Sequence, residues 1–263
     1  MHVAVTGASS GIGRALAVEF SCHGASVTLV ARRRALLDEL AAELKSPTAV
    51  VPWDLAAPAN ASGWIAAAEQ RLGPIDVLVN NAGMELIAPT AGIGQDDVDR
   101  LMRVNLLAPL ENIRELLPRM QARGAGGIIN VSSVMSFAPP PGMAFYGASK
   151  AGLAAASESL RGELACTPVR VLTVYPGLIT TEMGHASLSA YEPSWAFRLH
   201  PRATPEQLAA AVYKAWQRGA PRLIFPRQNA GFRWFPVMAR WMMDKFTPPL
   251  KKSRIASAVQ GDK

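Results

Sequence analysis

Short apolar runs alternate with longer amphipathic stretches along most of the chain. The runs are rich in Val, Ile and Leu, which is typical of strands buried on both faces of a parallel sheet, and the stretches between them have the apolar period of a helix. Strands are predicted at residues 2–7, 26–32, 49–55, 75–83, 126–133, 169–177 and 222–226, and helices at 13–24, 35–45, 61–73, 96–124, 144–165 and 205–219. The helix at 96–124 is expected to break near Pro109, because proline lacks the N–H that a helix interior uses.

This alternation predicts an α/β fold with a single Rossmann-like, doubly wound domain. We expect a seven-stranded, mostly parallel sheet with helices on both faces. The domain is placed at residues 1–228, with a variable substrate lid at about 182–203, and a basic amphipathic extension follows at 229–263. Ligands of such sheets bind at the carboxyl ends of the strands, so the residues that follow each strand are the candidates for function.

The composition is that of a globular protein, since 49% of the 263 residues are apolar and 18% are charged. No apolar run reaches the ~18 residues that span a bilayer, and the N-terminus enters predicted structure without a secretory signal, so we expect a cytoplasmic protein. The four histidines show no metal-ligand spacing, and no metal site is expected. Inert thiols are the favoured interpretation of Cys22 and Cys166.

The net charge of +7 is unevenly distributed. Residues 1–189 carry 14 Lys and Arg against 16 Asp and Glu, whereas residues 190–263 carry 13 against 4. The basic character therefore belongs to the C-terminal quarter. That quarter has no nucleic-acid recognition motif, so nucleic acid is not an expected partner.

A glycine-rich stretch, TGASSGIG at residues 6–13, follows the first strand and opens the first helix. Glycine suits a backbone that turns tightly against a phosphate, and the N-terminus of a helix attracts the anion. We expect a dinucleotide to bind here, although an ordinary tight turn remains an alternative. The residues predicted to contact it are Gly7, Ser9, Ser10, Gly11, Ile12 and Gly13.

Three arginines follow the second strand, where a cofactor ribose with a free 2′-hydroxyl is usually held by Asp or Glu. A guanidinium suits a 2′-phosphate, so Arg32 and Arg33 predict NADP(H) rather than NAD(H). The alternative is a solvated basic start to the next helix, and we expect at least one of the three, which include Arg34, to fit it.

Polar or small residues also follow the other strands. Asp54 and Leu55 are expected to meet an adenine, although a loop or helix-cap role for Asp54 is an open alternative. Asn80 is expected to brace the sheet. Cofactor contacts are further predicted for Asn81, Ala82, Gly83, Pro176, Gly177, Ile179 and Thr181.

The segment YGASK at residues 146–150 places Tyr146 and Lys150 one helical turn apart on one face. A nearby ammonium favours ionisation of a phenol, whose usual pKa near ~10 is poorly matched to proton exchange at neutral pH. We therefore expect an acid and the cation that tunes it. The alternative is a helical pair that faces solvent.

The ordered set TGASSGIG, NNAG, VNLLAP, NVSS, YGASK and YPGLITT, from residue 6 to 181, resembles the short-chain dehydrogenase/reductase family. The resemblance implies a catalytic tetrad. Asn105 would hold a helix distortion and a water of the proton relay, and Ser133 would polarise the substrate oxygen. Tyr146 would act as general acid or base, and Lys150 would bind the nicotinamide ribose and lower the pKa of the tyrosine. It also implies a homodimer or homotetramer.

We thus expect an NADP(H)-dependent oxidoreductase that interconverts a carbonyl and an alcohol. An apolar substrate, such as a steroid, retinoid, lipid or xenobiotic carbonyl, is suggested by an apolar wall and by aromatic residues in the lid. These residues are Met135, Phe137, Met143, Tyr191, Trp195 and Phe197. The alternatives are a 3-ketoacyl-CoA or acyl-carrier reductase and a non-catalytic NADP-sensing module.

The segment 229–254 has an apolar stripe that includes Phe232, Trp241 and Phe246, and a kink is expected at Pro236. Three interpretations are open. The segment packs on the body or on a second subunit, it lies on an anionic membrane surface, or it shapes an entrance for a lipid-like substrate.

Overall fold

The fold is built on one seven-stranded sheet in which every neighbouring pair is parallel. It comes from a computed structural model that describes residues 1–57, 61–194 and 201–251. The strands are β1 His2–Thr6, β2 Ser26–Ala31, β3 Thr48–Pro52, β4 Val77–Asn80, β5 Gly126–Val131, β6 Val169–Pro176, β7 Leu178–Ile179, β8 Arg202–Ala203 and β9 Arg222–Phe225. Their order in the sheet is β3-β2-β1-β4-β5-β6-β9, and β7 pairs with β8 separately. The predicted fold class is confirmed.

Helices cover both faces of the sheet. They are α1 Gly11–Cys22, α2 Arg34–Glu43, α3 Trp64–Leu72, α4 Gln95–Met102, α5 Ala108–Arg123, α6 Ala144–Glu163, α7 Glu182–Ser189, α8 Pro205–Gln217, α9 Gly231–Trp234 and α10 Pro236–Phe246. On one face Leu16 and Phe20 of α1 pack with Val212 of α8, and on the other Trp64 of α3 packs with Leu116 of α5. The order of the strands reverses between β1 and β4, which is where such sheets bind nucleotides.

The long helix predicted at 96–124 is interrupted just before Pro109. A π-helical turn at Arg103–Leu107 separates α4 from α5. The predicted break near Pro109 is confirmed, because α5 begins at Ala108 and Pro109 lies in its first turn, directly after the π-helical turn. The π-helical turn contains Asn105, which is fully buried.

Buried amides join the middle of the sheet to its helices. Asn80 donates to Asn130 Oδ1 over 2.9 Å and accepts from Asn112 Nδ2 over 3.2 Å. Asn112 Oδ1 in turn accepts from the indole of Trp64 over 3.1 Å, and Asn130 donates to Ser157 Oγ over 2.9 Å. Asn80 therefore braces the sheet, as expected.

The C-terminal segment lies against the carboxyl edge of the sheet. Its helices α9 and α10 are separated at Phe235, before Pro236, where the kink was predicted. Arg240 Nη1 donates to the carbonyl of Pro139 over 3.1 Å, and Lys251 N donates to Ala190 O over 3.0 Å. Within the described residues, no helix is long and apolar enough to cross a membrane.

Candidate active site

A cavity of about 1040 Å³ opens along the carboxyl ends of the strands. It is lined by the glycine-rich turn at one end and by Ser133, Tyr146 and Lys150 further along. The lining also includes every other residue predicted to contact the cofactor, namely Ser9, Ser10, Ile12, Arg32, Arg33, Asp54, Leu55, Asn81, Ala82, Gly83, Pro176, Gly177, Ile179 and Thr181. Of the predicted tetrad and cofactor-contacting residues, Asn105 alone is not part of the lining.

The glycine-rich turn is compact because glycine, which has no Cβ atom, occupies the positions where the backbone comes closest to itself and to its neighbours. Gly7 has a φ of 69°, which favours glycine. A Cβ added to Gly13 would lie 2.2 Å from the carbonyl oxygen of Gly7. The turn delivers the N-terminus of α1 to the cavity, and Ser10 at that N-terminus makes no side-chain capping bond. These free N–H groups and the helix dipole fit a phosphate.

The three arginines after β2 take different positions. Arg33 donates from Nη2 to Ser9 Oγ over 2.9 Å and to Ser10 Oγ over 2.8 Å, so it ties the end of β2 to the turn. Arg32 and Arg33 both line the cavity. Arg34 pairs with Asp38 along α2 at 3.4 Å and is the helix-start arginine that the alternative interpretation requires.

Several lining residues also hold the local backbone. Asp54 Oδ1 accepts from the N–H of Ala56 over 3.0 Å, as in a loop role. Asn81 Nδ2 donates to the carbonyl of Thr6 over 3.0 Å, which fixes the turn after β1. Thr181 caps α7 by accepting from the N–H of Gly184 over 3.1 Å. These side chains therefore shape the cavity wall by fixed hydrogen bonds.

Ser133, Tyr146 and Lys150 meet at the centre of the cavity. All three are buried, with 7%, 8% and 4% of their surfaces exposed. Ser133 follows β5, and its Oγ accepts from Met135 N over 3.1 Å. Tyr146 lies in the first turn of α6, and Lys150 one turn later donates from Nζ to the carbonyl of Val131 over 2.9 Å. The solvent-facing alternative for the pair was therefore wrong.

Asn105 lies behind this group and holds the backbone beside Gly83. Its Oδ1 accepts from Met84 N over 2.8 Å, while its Nδ2 donates to Met84 O over 2.9 Å and to Ser149 Oγ over 3.0 Å. A Cβ added to Gly83 would lie 3.4 Å from both Asn105 Oδ1 and Lys150 Nζ. The π-helical turn thus joins β4 to α6 through one amide.

The pKa of the Tyr146 phenol is raised above its ordinary value by burial, and next by the negative charge of Glu85. The hydroxyl of Ser133 acts in the opposite direction, by hydrogen bonding to the phenol. Burial also lowers the pKa of Lys150 to about 8. Among the described residues, desolvation is the largest effect on the phenol pKa. The expectation that Lys150 lowers this pKa, which was made for a site holding a cationic nicotinamide ring, stays a prediction.

Glu85 was missed by the sequence analysis. It lines the cavity, its carboxylate accepts a hydrogen bond from the hydroxyl of Ser187 on α7, and burial raises its pKa to about 6. The available signal was a single acid in an otherwise uncharged stretch, NNAGMELIAP. Asn229 was missed as well: it is 2% exposed and lines the cavity, and its Nδ2 donates to no atom of the described residues. That free donor beside Gly177 fits a polar ligand group.

The predicted apolar wall is present in part. Met135 and Met143 line the cavity, whereas Phe137 stacks on Tyr175 with ring centroids 4.9 Å apart. Tyr191 lines the cavity from a fixed position, because its hydroxyl donates to the carbonyl of Pro141 over 2.8 Å. The other two lid aromatics, Trp195 and Phe197, lie outside the described residues.

Parallel strands in this order, with a glycine turn after the first, are the architecture of dinucleotide-binding dehydrogenases. The model of the short chain dehydrogenase family matches residues 1–192. The chain belongs to this family and is an oxidoreductase, which confirms the resemblance seen in the sequence.

Three known proteins show the range of the similarity. The chain is 35% identical over 262 residues to a fatty acyl-CoA reductase of Mycobacterium tuberculosis, covering 94% of this chain and 86% of the relative. It is 34% identical over 228 residues to a ketoacyl reductase of Nostoc, covering 84% and 77%. A short-chain dehydrogenase of Sphingobium yanoikuyae, solved in complex with NADPH, is 30% identical with a TM-score of 0.78, covering 93% of this chain and 96% of that one.

Proposed function

We propose that the protein is an NADP(H)-dependent oxidoreductase that reversibly interconverts a carbonyl and an alcohol on an apolar substrate. The observation that carries the proposal is the buried group of Ser133, Tyr146 and Lys150 in the cavity that the glycine-rich turn closes at its far end. A nicotinamide cofactor bound in this cavity supplies or accepts the hydride. The position of Arg32 and Arg33, and the NADPH complex of the Sphingobium relative, support NADP(H) over NAD(H).

In the proposed reduction, Tyr146 is the proton donor. Its O–H gives a proton to the carbonyl oxygen while the carbonyl carbon gains a hydride, so the product is a neutral alcohol and a phenolate remains. Ser133 holds the same oxygen by a hydrogen bond and stabilises the charge that develops on it. Lys150, one turn from Tyr146, restores charge balance beside the phenolate. Asn105 acts as a positioning residue through Met84 and Ser149.

The apolar nature of the substrate is supported by the apolar side chains that line the cavity beside Tyr146. Met135, Met143 and Tyr191 line it from the body, and the C-terminal segment adds Phe232 and Phe246. We therefore propose that the described part of the C-terminal extension at 229–263, residues 229–251, forms part of the substrate site next to a nucleotide-binding domain at 1–228. The proposed lid at about 182–203 begins with α7, which lines the same cavity through Met183 and Leu188. Its residues 195–200 lie outside the described residues.

A ketoacyl or acyl thioester is the second candidate substrate class. The relatives that reduce fatty acyl-CoA and ketoacyl groups support it, and so does the basic C-terminal quarter, which suits an anionic carrier. An assay by nicotinamide absorbance, with both cofactors and a panel of apolar ketones, aldehydes, alcohols and acetoacetyl-CoA, separates the two classes. Turnover of acetoacetyl-CoA alone would favour the second.

The decisive variant is Tyr146→Phe, with Tyr213→Phe on α8 as its control because that ring packs on Phe20 away from the cavity. If the protein is an enzyme, Tyr146→Phe should lose turnover and still bind NADPH, as measured by fluorescence. Tyr213→Phe should keep both turnover and NADPH binding. Full turnover by Tyr146→Phe would end the proposal. The family also implies a homodimer or homotetramer, which sedimentation velocity of the wild-type chain tests.

A further inference from the structure

An unusually apolar surface covers the outer side of the C-terminal segment. Val237 is 84% exposed, Trp234 71% and Trp241 55%. We call it the apolar face, and its members are Trp234, Phe235, Val237, Met238, Trp241, Met242 and Phe246. Elsewhere in the described part of the chain, the large apolar side chains of comparable exposure are Met1, Leu107 and Met183, which lie far apart in sequence. Such a contiguous patch indicates an interaction surface.

Basic side chains accompany the apolar face. Residues 227–251 contain five Lys and Arg and one acid, Asp244. Lys245 lies with its ammonium 5.0 Å from the centre of the Trp241 ring. Arg240 pairs with Asp244 at 3.3 Å and Arg233 pairs with Glu158 at 3.7 Å, so the segment keeps a net positive charge through its remaining basic residues. Cations interleaved with Trp and Phe complement a surface that is apolar inside and negatively charged outside.

The apolar face continues into the catalytic cavity. Met242 and Phe246 belong to both, and Met243 and Thr247 of the same segment also line the cavity. Only Ala239 of α10 is buried, so this helix contributes little to the core and serves mainly as a wall between cavity and exterior. A ligand that leaves an apolar phase along α10 would therefore meet the cavity directly.

We propose that the apolar face binds an anionic lipid surface, with α10 lying in the plane of the headgroups, so that an apolar substrate passes from the lipid to Tyr146. The eleven residues of α10 extend only ~16 Å, about half of a ~30 Å hydrocarbon core, so the helix lies on the membrane rather than across it. A second copy of the chain fits less well, because a twofold contact through this face would set the same cations against each other. The second half of the proposal rests on the proposed function, whereas lipid binding does not.

Co-sedimentation of the full chain with vesicles tests the proposal. One set of vesicles is phosphatidylcholine alone, and the other is a mixture of phosphatidylcholine and phosphatidylglycerol. We expect the wild type to bind the mixed vesicles and to bind the neutral ones much more weakly. The double variant Trp234→Ser, Val237→Ser should bind the mixed vesicles about tenfold or more weakly, since both side chains would otherwise be buried in lipid.

Charge variants complete the test. Lys245→Glu should weaken binding to the mixed vesicles about fivefold or more. Lys45→Glu is the control and should not weaken it, because Lys45 is exposed and lies outside the C-terminal segment. All these positions lie outside the cavity lining, so NADPH oxidation with a water-soluble ketone should be unchanged and separates this inference from the proposed function. The proposal would be overturned if the wild type did not bind the mixed vesicles, or if the double variant bound them as tightly as the wild type. It would also be overturned if the double variant converted a dimer to a monomer.

Discussion

The carboxylate of Glu85 accepts a hydrogen bond from the hydroxyl of Ser187, which lies 102 residues further along the chain. This contact joins the stretch after β4 to α7, the first helix of the proposed lid, at the edge of the catalytic cavity. The Glu85 side chain is half-buried, and its charge acts on Tyr146 and Lys150. Two predictions depend on it.

The first concerns stability. Burial raises the pKa of Glu85 from 4.5 to about 6, so the folded state holds the proton more tightly than the unfolded chain. This contribution is fully present below the unfolded pKa and is lost as the pH rises through the folded pKa, by about 2 kcal/mol in total. Glu85→Gln removes it. Thermal unfolding at about pH 4.5 and about pH 7 should therefore show the variant gaining relative to wild type at the higher pH. A pH-independent difference would contradict this.

The second concerns activity. The negative charge of Glu85 raises the pKa of Tyr146, and alcohol oxidation needs the phenolate as base. Glu85→Gln should therefore move the alkaline rise of alcohol oxidation to lower pH, while the carbonyl-reducing direction keeps its turnover near neutral pH. The rate profile of kcat against pH measures the shift. Asp54→Asn, at a carboxylate near the other end of the cavity, is the control and should leave the profile in place.

Cofactor choice should depend on Arg32 and not on Arg34. Arg32 lines the cavity, whereas Arg34 pairs with Asp38 on α2. Arg32→Asp should weaken NADPH far more than NADH, by about tenfold or more, because a charge-assisted contact to a 2′-phosphate is replaced by repulsion. Arg34→Asp should change both affinities little. Equal losses for the two cofactors in Arg32→Asp would remove the case for NADP(H).

The glycine-rich turn should tolerate no side chain at Gly13. A Cβ there would meet the carbonyl oxygen of Gly7 at 2.2 Å, so Gly13→Ala should cost about 2–3 kcal/mol of stability and abolish NADPH binding. Gly162→Ala in α6 is the matched control, because nothing lies within 4 Å of its added Cβ. That control should be neutral or stabilising by about 0.5–1 kcal/mol. Denaturant unfolding of both variants gives the comparison.

Breaking the hydrogen bonds between the buried amides should destabilise the fold. Asn112 accepts from Trp64 and donates to Asn80, and it is fully buried. Asn112→Leu leaves two buried polar partners without a bond and should destabilise the fold by about 2–4 kcal/mol. Denaturant unfolding measures the loss. An exposed control such as Gln121→Leu on the same helix should change the stability by less than about 0.5 kcal/mol.

Much of the site could be predicted because parallel strands bring distant residues to one edge. Once the strands are placed, Gly7, Asp54, Gly83, Ser133 and Gly177 must follow at the same side of the sheet, however far apart they are in sequence. Tyr146 and Lys150 are four residues apart, so a short stretch of sequence is enough to predict that they share one face of a helix. Pro109 likewise marked where the long helix is interrupted, whereas the π-helical form of that interruption depends on what Asn105 contacts across space.

The sequence by itself determined the class of fold, the family and the residue types that meet in the cavity, because burial periodicity and turn-forming residues are properties of short segments. The tertiary structure alone decided the direction of the Tyr146 pKa shift, the presence of Glu85 beside the tetrad and the use of α10 as a cavity wall. These depend on desolvation and on charges brought close by packing. Electrostatic and hydrophobic contacts act through space between atoms that are remote in the chain, so the local pattern cannot report them.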